Sequence, residues 1–597
     1  MKELLKQVKQ YKKDSVLAPV YSALEVVMEV IIPFVMALLI DEGVEKGNMN
    51  KILLYGIIMI VLAMISLFAG MMAGKYAASA SSGFACNLRE AMYRNIQRFS
   101  FSNIDKFSTA GLVTRMTTDV TNVQNAYQMI IRIAVRAPLM LISSMAMCFV
   151  VNADMSFIFL GAIVFLAVVL VIIMLRAMKI FNVAFTKYDD LNASVQENIS
   201  GIRVVKSYVR EDYENEKFKK ASGNLYNMFK KAESTLAFNN PVMMLVIYAC
   251  IMAICWFGAK FIVVDKTLQI GELTSLFSYV MGSMMSLMML SMIFVMITMS
   301  VASMRRITEV LREQPDLAEP FAPVELMSNG SIDFDNVHFR YHKTSEEEVL
   351  TDINLHIKSG ETIGIIGGTG CGKTSLVNLI SRLYDVQQGS VKVGGVDVKD
   401  YDMKFLRDQV SVVLQKNVLF SGTILDNLRW GNENATEEEC IEACKWACAD
   451  EFIERFPDKY NTVIERGGTN VSGGQKQRVA IASAIASKRG QKQRICIARA
   501  LLKKPAVLIL DDSTSAVDTA TDAKIRAAFQ KCIPGTTKII IAQRVSSVQD
   551  ADRIVVLDDG RINGVGTHDE LVANNEIYRD IYESQTKDGG DFDRPQN

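Results

Sequence analysis

The sequence predicts a membrane domain of six α-helices joined to a soluble α/β phosphate-loop domain, on three observations. Six apolar stretches, each about the 20 residues needed to cross a ~30 Å hydrocarbon core, fill the first half. A run from Ile363 to Leu376, IGIIGGTGCGKTSL, reads as a buried strand, a glycine-rich turn and a helix start. Finally, 50% hydrophobic residues and a mean hydropathy of +0.18 sit beside 22% charged residues, the mark of an apolar half attached to a polar one.

Length and charge exclude several classes. At 597 residues the chain holds more than one domain. Its formal net charge is +0, so no global field points to nucleic acid. Ten cysteines lie scattered without the spacing of a disulfide framework, which favours a reducing cytosolic face. Cys440, Cys444 and Cys448 recur at helical spacing with no histidine nearby and predict a half-buried helix face rather than a metal site.

Residues 1–13, basic and amphipathic with no small-residue cleavage site after them, predict an interfacial helix rather than a signal peptide. The spans fall near 16–40, 52–74, 132–152, 156–176, 241–264 and 274–300. Basic residues gather in the two long connections, among them Arg89, Arg94, Arg98, Lys106 and Arg115 in the first and Lys187, Arg203, Lys206 and Arg210 in the second. The positive-inside rule therefore places both termini and both long loops in the cytoplasm. Helical periodicity continues far into these loops, broken at 101–120 and 198–214, where short transverse helices are expected.

Two features inside the spans bear on what passes through them. Glu25 and Glu29 lie one turn apart, and ionisable residues at membrane depth usually face a cavity or a polar partner. They are candidates for lining a pathway for cationic or polar substrate, with a contact to a partner subunit as the alternative. Met285, Met288 and Met292 belong to a methionine-rich sixth span that could repack around varied apolar ligands, or simply face lipid or core.

The membrane domain is expected over 1–304, a proline-bearing linker over 305–330, the nucleotide-binding domain over 331–585 and a polar tail over 586–597. In the phosphate loop, Gly367, Gly368, Thr369, Gly370, Cys371 and Gly372 let backbone N–H groups turn inward around phosphate oxygens. The helix start at Lys373, Thr374 and Ser375 adds its positive dipole end. Lys373 would reach the β- and γ-phosphates, and the Thr374 hydroxyl would hold Mg²⁺. Asp511, closing the apolar run LILDD, would hold Mg²⁺ through water, and Gln415 could contact Mg²⁺ and the attacking water. Tyr341 offers a face for adenine, and Ser472 and Gly473 make a second anion-binding helix start.

The set GGTGCGKT, VLQ, VSGGQ, LILDD and STSAVD, preceded by six spans with long intracellular loops, resembles the ATP-binding cassette (ABC) exporters of type IV architecture, in their half-transporter form. The resemblance implies a dimer with ATP and Mg²⁺ held between one subunit's phosphate loop and the other's signature. Ser472, Gly473, Gly474 and Gln475 would contact the partner's ATP, and Asp518 would communicate across the dimer. Coupling helices are then expected near 101–112 and 198–212. The implied function is ATP-dependent export of amphipathic small molecules, lipids or peptides across a bacterial plasma membrane.

Two residues depart from the family pattern. Asp512 stands where the family has a water-activating Glu, and Gln543 where it has a switch-loop His. Gln can hydrogen-bond a phosphate but carries no charge. Both changes fall on the composite site built on this chain's own phosphate loop, as in heterodimeric exporters with one degenerate site. A different partner half is therefore expected; a homodimer and a non-hydrolysing regulatory half are the alternatives. Moreover, QKQRVAIASAIASKRG (475–490) is followed by QKQRICIARALLKKPA (491–506), a tandem repeat. One extra copy would add about 24 Å of helix at ~1.5 Å per residue, so a loop-out or hairpin is expected, with the first copy keeping register to the signature. Such an insertion is either a tolerated surface feature or one that impairs or regulates ATP hydrolysis.

Overall fold

The computed structural model describes residues 2–341, 347–415, 417–464, 489–513 and 517–587. They form two compact units. The first comprises Met1–Arg98 and Phe107–Glu313, the second Phe99–Lys106 and Gln314–Asn597.

The first unit is all-helical. Its principal helices are α1 (Lys12–Leu38), α2 (Met49–Ile96), α3 (Phe101–Phe107, shared with the second unit), α4 (Val120–Val151), α5 (Ala153–Ser200), α6 (Ile202–Ser207), α7 (Glu211–Ala237), α8 (Asn239–Lys260) and α9 (Ile270–Arg312). Six helical segments are long and apolar enough to span a membrane, at the six predicted places. Local chemistry sets their starts. Asn48 accepts from Lys51 N (3.3 Å) ahead of α2, and Asn152 accepts from Met155 N (3.0 Å) ahead of α5. On α2, Leu53, Ile57, Ile60, Val61 and Met64 are exposed as lipid-facing residues should be, while Ala69, Ala73, Ala77 and Ala80 are fully buried. Those small side chains let α1 and α2 approach closely.

Both predicted interruptions exist. Ser108, at φ 53°, separates α3 from the next helical turn, and Gly201 separates α5 from α6. One expectation needs correction. The sixth spanning helix does not stop at the linker boundary near 304. It runs on to Arg312, because Ile307 and Val310, one turn apart, are fully buried and keep the helix packed. The N-terminal segment is helical over Lys2–Lys6, with Leu4 and the following Val8 buried and Leu5 exposed.

The second unit is α/β. Its larger sheet has the order β10-β9-β3-β8-β7-β6, built from Arg561–Gly566, Arg553–Asp558, Thr362–Gly367, Thr537–Ile541, Val507–Asp511 and Val410–Val413 respectively. All neighbours pair in parallel except the β9–β10 edge. The parallel strands are continuous apolar runs, as burial on both faces demands. A second, antiparallel sheet has the order β2-β1-β4-β5, from Leu350–Ile357, Ile332–Phe339, Gln388–Val393 and Val396–Asp397. The helices that matter for the site are α10 (Lys373–Ile380), α11 (Glu437–Trp446), α12 (Arg489–Leu501), α13 (Thr519–Cys532) and α14 (Glu576–Lys587).

Helix α12 begins the second copy of the repeat. Ile495, Ile497, Ala498 and Leu501 are buried in the core. Arg499 donates from Nε to Asn427 O (2.8 Å) and from Nη2 to Asn427 Oδ1 (3.1 Å). The core therefore accepts the second copy. Residues 475–488, on which the expectation of register with the signature rests, lie outside the described residues.

Cys440, Cys444 and Cys448 on and after α11 are buried, and burial pushes all three thiols up. No group of three or more metal-ligating side chains occurs among the described residues.

Candidate nucleotide site

Strand β3 ends at Gly367, in the middle of the parallel sheet, and the chain turns there into α10. The turn demands glycine. At Gly367 (φ 156°) a Cβ would lie 2.1 Å from Leu557 O, and at Gly372 (φ 95°) it would lie 2.7 Å from Leu350 Cδ2. Gly368, Thr369 and Gly370 form the exposed crown, and around Gly368 and Gly370 there is open space where a Cβ would stand. The result is a cradle of backbone N–H groups at a helix start. Cys371 is buried beneath it, and Ser375 is buried one turn into α10.

Lys373 folds back over the loop, donating from Nζ to Gly367 O (2.9 Å) and Gly368 O (2.7 Å). Thr374 Oγ1 donates to Asp511 Oδ1 at 3.0 Å, joining the helix start to the end of β7. Burial pushes the Asp511 carboxyl up, with the Thr374 hydrogen bond working in the opposite direction. The hydroxyl and carboxylate oxygens joined here suit a hard divalent cation such as Mg²⁺.

Asp512 follows in the left-handed region (φ 46°), a conformation uncommon outside glycine. Its Oδ2 accepts from two amides, Gln415 Nε2 at 3.2 Å and Gln543 Nε2 at 2.9 Å. Strand ends thus bring together Gln415 after β6, Asp511 and Asp512 after β7, and Gln543 after β8, all facing the loop after β3. The site occupies the carboxyl ends of a parallel sheet, where such sheets bind ligands.

Tyr341 closes one side. Its hydroxyl lies 2.8 Å from Ser375 Oγ, and its ring meets Tyr384 edge-on at 5.0 Å. A cleft of about 370 Å³, lined in part by Tyr341, Val349, Gly370 and Gly560, opens beside the loop. Tyr384 donates its hydroxyl to Asp105 Oδ2 (2.8 Å) and packs near Phe101 (6.1 Å), both within the segment Phe99–Lys106 that belongs to this unit.

The remaining predicted residues are placed differently. Asp518 caps α13, its side chain accepting from Thr521 N at 2.9 Å. Ser472, Gly473, Gly474 and Gln475 lie outside the described residues. In the first unit, Glu25 and Glu29 are both paired with Arg136 of α4, at 3.1 and 2.7 Å. That weakens their reading as receptors for cationic substrate. Arg136 falls in the third span together with Arg132, and cations at that depth could have signalled partners for the two acids. Met285, Met288 and Met292 are exposed on α9.

Residues 16–287 match the ABC transporter transmembrane region, and residues 350–489 match the ABC transporter family proper. The chain belongs to the ABC transporter family. As a half-transporter it carries both parts in one polypeptide. Among its relatives, the uncharacterized ABC transporter ATP-binding protein YfiB of Bacillus subtilis is 35% identical over 98% of both chains. Rv1273c of Mycobacterium tuberculosis, of the same description, is 33% identical over 98% of both. The structure of a bacterial Atm1-family ABC exporter with ATP bound superposes with a TM-score of 0.78 at 22% identity, covering 97% of this chain and 99% of that one. The half-transporter therefore has the type IV exporter fold, and its second unit is an ATP-binding cassette. The match to the cassette family stops at residue 489, at the seam between the two repeat copies and ahead of Asp511.

Proposed function

We propose that this chain is the degenerate-site half of a heterodimeric exporter that moves amphipathic small molecules, lipids or peptides out through a bacterial plasma membrane, with both termini cytoplasmic. The observation that carries the reading is Asp512, one methylene shorter than glutamate, with a carboxylate oxygen already taken by the amides of Gln415 and Gln543.

Backbone N–H groups of Gly368–Gly372 hold the phosphates, Lys373 leaves the loop carbonyls to meet the β- and γ-phosphates, and Tyr341 supports the base. Thr374, Gln415 and Asp511 would hold Mg²⁺, which when bound neutralises charge developing on the phosphate oxygens. Asp512 orients the attacking water from a greater distance than a glutamate would. Gln543 donates to the γ-phosphate without a charge, so it stabilises charge developing there less than a charged donor would. The partner half then supplies the stronger site, for which this chain contributes Ser472, Gly473, Gly474 and Gln475, while Asp518 communicates across the dimer.

Movement reaches the membrane through the two chain interruptions, acting as coupling helices. Support for the first comes from the linked contacts Ser375–Tyr341–Tyr384–Asp105 inside the second unit. Support for the second comes from Val204, Tyr208 and Val209, which are 58–80% exposed around α6 and give a partner subunit an apolar tip to grip.

A non-hydrolysing regulatory half is the second reading, favoured by the same amide pair on Asp512. ATPase assays of the chain alone and with a second half separate the two. Activity that appears with the partner, and a further increase on Asp512→Glu with Gln543→His, support the degenerate exporter. No hydrolysis and no vesicle transport in any pairing would remove it.

A further inference from the structure

We infer that Gln585, on the last described helix, is a positioning residue for the switch loop that carries Gln543; the inference rests on the proposed role of Gln543 at the nucleotide site. Between the end of β8 at Ile541 and the turn beginning at Val545, the backbone leaves the sheet ladder. Two groups in that gap find the same partner. Gln585 Nε2 donates to Gln543 O at 2.9 Å, and Gln585 Oε1 accepts from Val545 N at 2.8 Å.

A primary amide carries its N–H and C=O side by side, as a peptide group on a neighbouring strand does. Bridging the C=O of one residue and the N–H two residues on, Gln585 imitates one rung of a β-ladder where no strand is present. Both bonds fix the backbone of Gln543 on its C-terminal side. On the other side, Ala542 N donates to Ile365 O at 3.2 Å and Asp512 N to Ile541 O at 3.1 Å. The loop is thus pinned at both ends, and the Gln543 amide is aimed at Asp512 Oδ2, 2.9 Å away.

The helix that delivers Gln585 is anchored without it. Tyr578 is fully buried and bonds His568 Nδ1 through its hydroxyl (2.8 Å), and Ile581 and Tyr582 pack on the same core. Gln585 itself is exposed, so changing it leaves that anchor intact. Its exposure also means that anything displacing the end of α14 would release the switch loop.

The test compares Gln585→Leu, which removes both bonds at similar volume, with Gln585→Glu, which keeps only the acceptor for Val545 N–H. Amide hydrogen exchange on the full chain in lipid vesicles should show Val545 exchanging at least about tenfold faster in the Leu variant, with Ile539–Ile541 unchanged. In the Glu variant Val545 should stay protected. In a pairing whose partner site is silenced, so that turnover comes from this chain's own site, the Leu variant should lower kcat about tenfold, as a small misplacement of a site residue does, with KM for ATP and the thermal midpoint unchanged. Unchanged Val545 exchange, or a kcat loss that tracks a fall in thermal midpoint, overturns the inference. If the unaltered chain hydrolyses ATP in no pairing, the catalytic consequence falls with the proposed function, while the exchange measurement still decides the contact.

Discussion

Asp512 and Asp511 are neighbours with opposite electrostatic problems. Asp512 needs reach, and Asp511 needs relief from burial. Restoring reach and charge together, through Asp512→Glu with Gln543→His, should add a second working site to the paired transporter, and in a pairing whose partner site is silenced should raise the ATPase rate by at least about tenfold. A steady-state assay at saturating ATP reads this, and an unchanged rate would show that the limit lies elsewhere. For Asp511 the folded state raises the carboxyl above its ordinary value. The nucleotide-free protein is therefore favoured while Asp511 is protonated, and loses that advantage as the pH rises through the raised value. Asp511→Asn should accordingly increase the thermal midpoint at neutral pH by a few degrees, at ~2–4 °C per kcal/mol for a domain of this size, and abolish hydrolysis. The gain should shrink as the pH falls into the ordinary carboxylate range. Gln415, Asp511 and Thr374 could be found in the sequence because each sits at a fixed place relative to a strand end. Tyr384 and Gln585 could not, because each matters only through a contact made by folding across a long sequence separation.

At the scale of elements, the repeat is where sequence and structure part. Both copies offer QKQR followed by a small, apolar face, so periodicity alone cannot choose between them. The choice is made further along. Arg499, which bonds Asn427, corresponds to Ser483 in the first copy, and Pro505, whose carbonyl accepts from Thr536 Oγ1 at 3.0 Å, corresponds to Arg489. Deleting 475–490 should therefore leave the thermal midpoint of the cassette unchanged and bring the signature directly onto α12. Deleting 491–506 should lower stability by about 1.5–3 kcal/mol for the lost charged hydrogen bonds alone. Thermal unfolding in detergent distinguishes the two, and equal losses would mean that either copy serves. The linker boundary was misplaced for a related reason: Arg305 and Arg306 read as polar punctuation, whereas Ile307 and Val310 go on packing.

For the whole molecule, the division into an apolar and a polar half was visible in composition, and each half's fold followed from its own periodicity. What composition could not convey was how the apolar half keeps its acids. Arg136 holds Glu25 and Glu29 inside the membrane domain, and Gly70 leaves room beside this group, for a Cβ there would lie 2.9 Å from Glu25 Oε1. Arg136→Met should destabilise the transporter by about 3–5 kcal/mol, the usual cost of stranding a buried charge. Adding Glu25→Gln and Glu29→Gln should restore most of it, as read by the yield of folded protein in detergent and its melting. Persistent loss in the triple variant would show that the arginine has another task. The length of α2 has a mechanical consequence as well. Its 48 residues make an unbroken rod of about 72 Å, more than twice the ~30 Å that a bilayer core requires. Pivoted at one end, a rod this long turns a tilt of roughly 5° into about 6 Å of travel at the other. The chain therefore possesses gearing: a small rotation where the helix meets the cytosol becomes a wide displacement at its far end, with no joint in between to absorb the stroke.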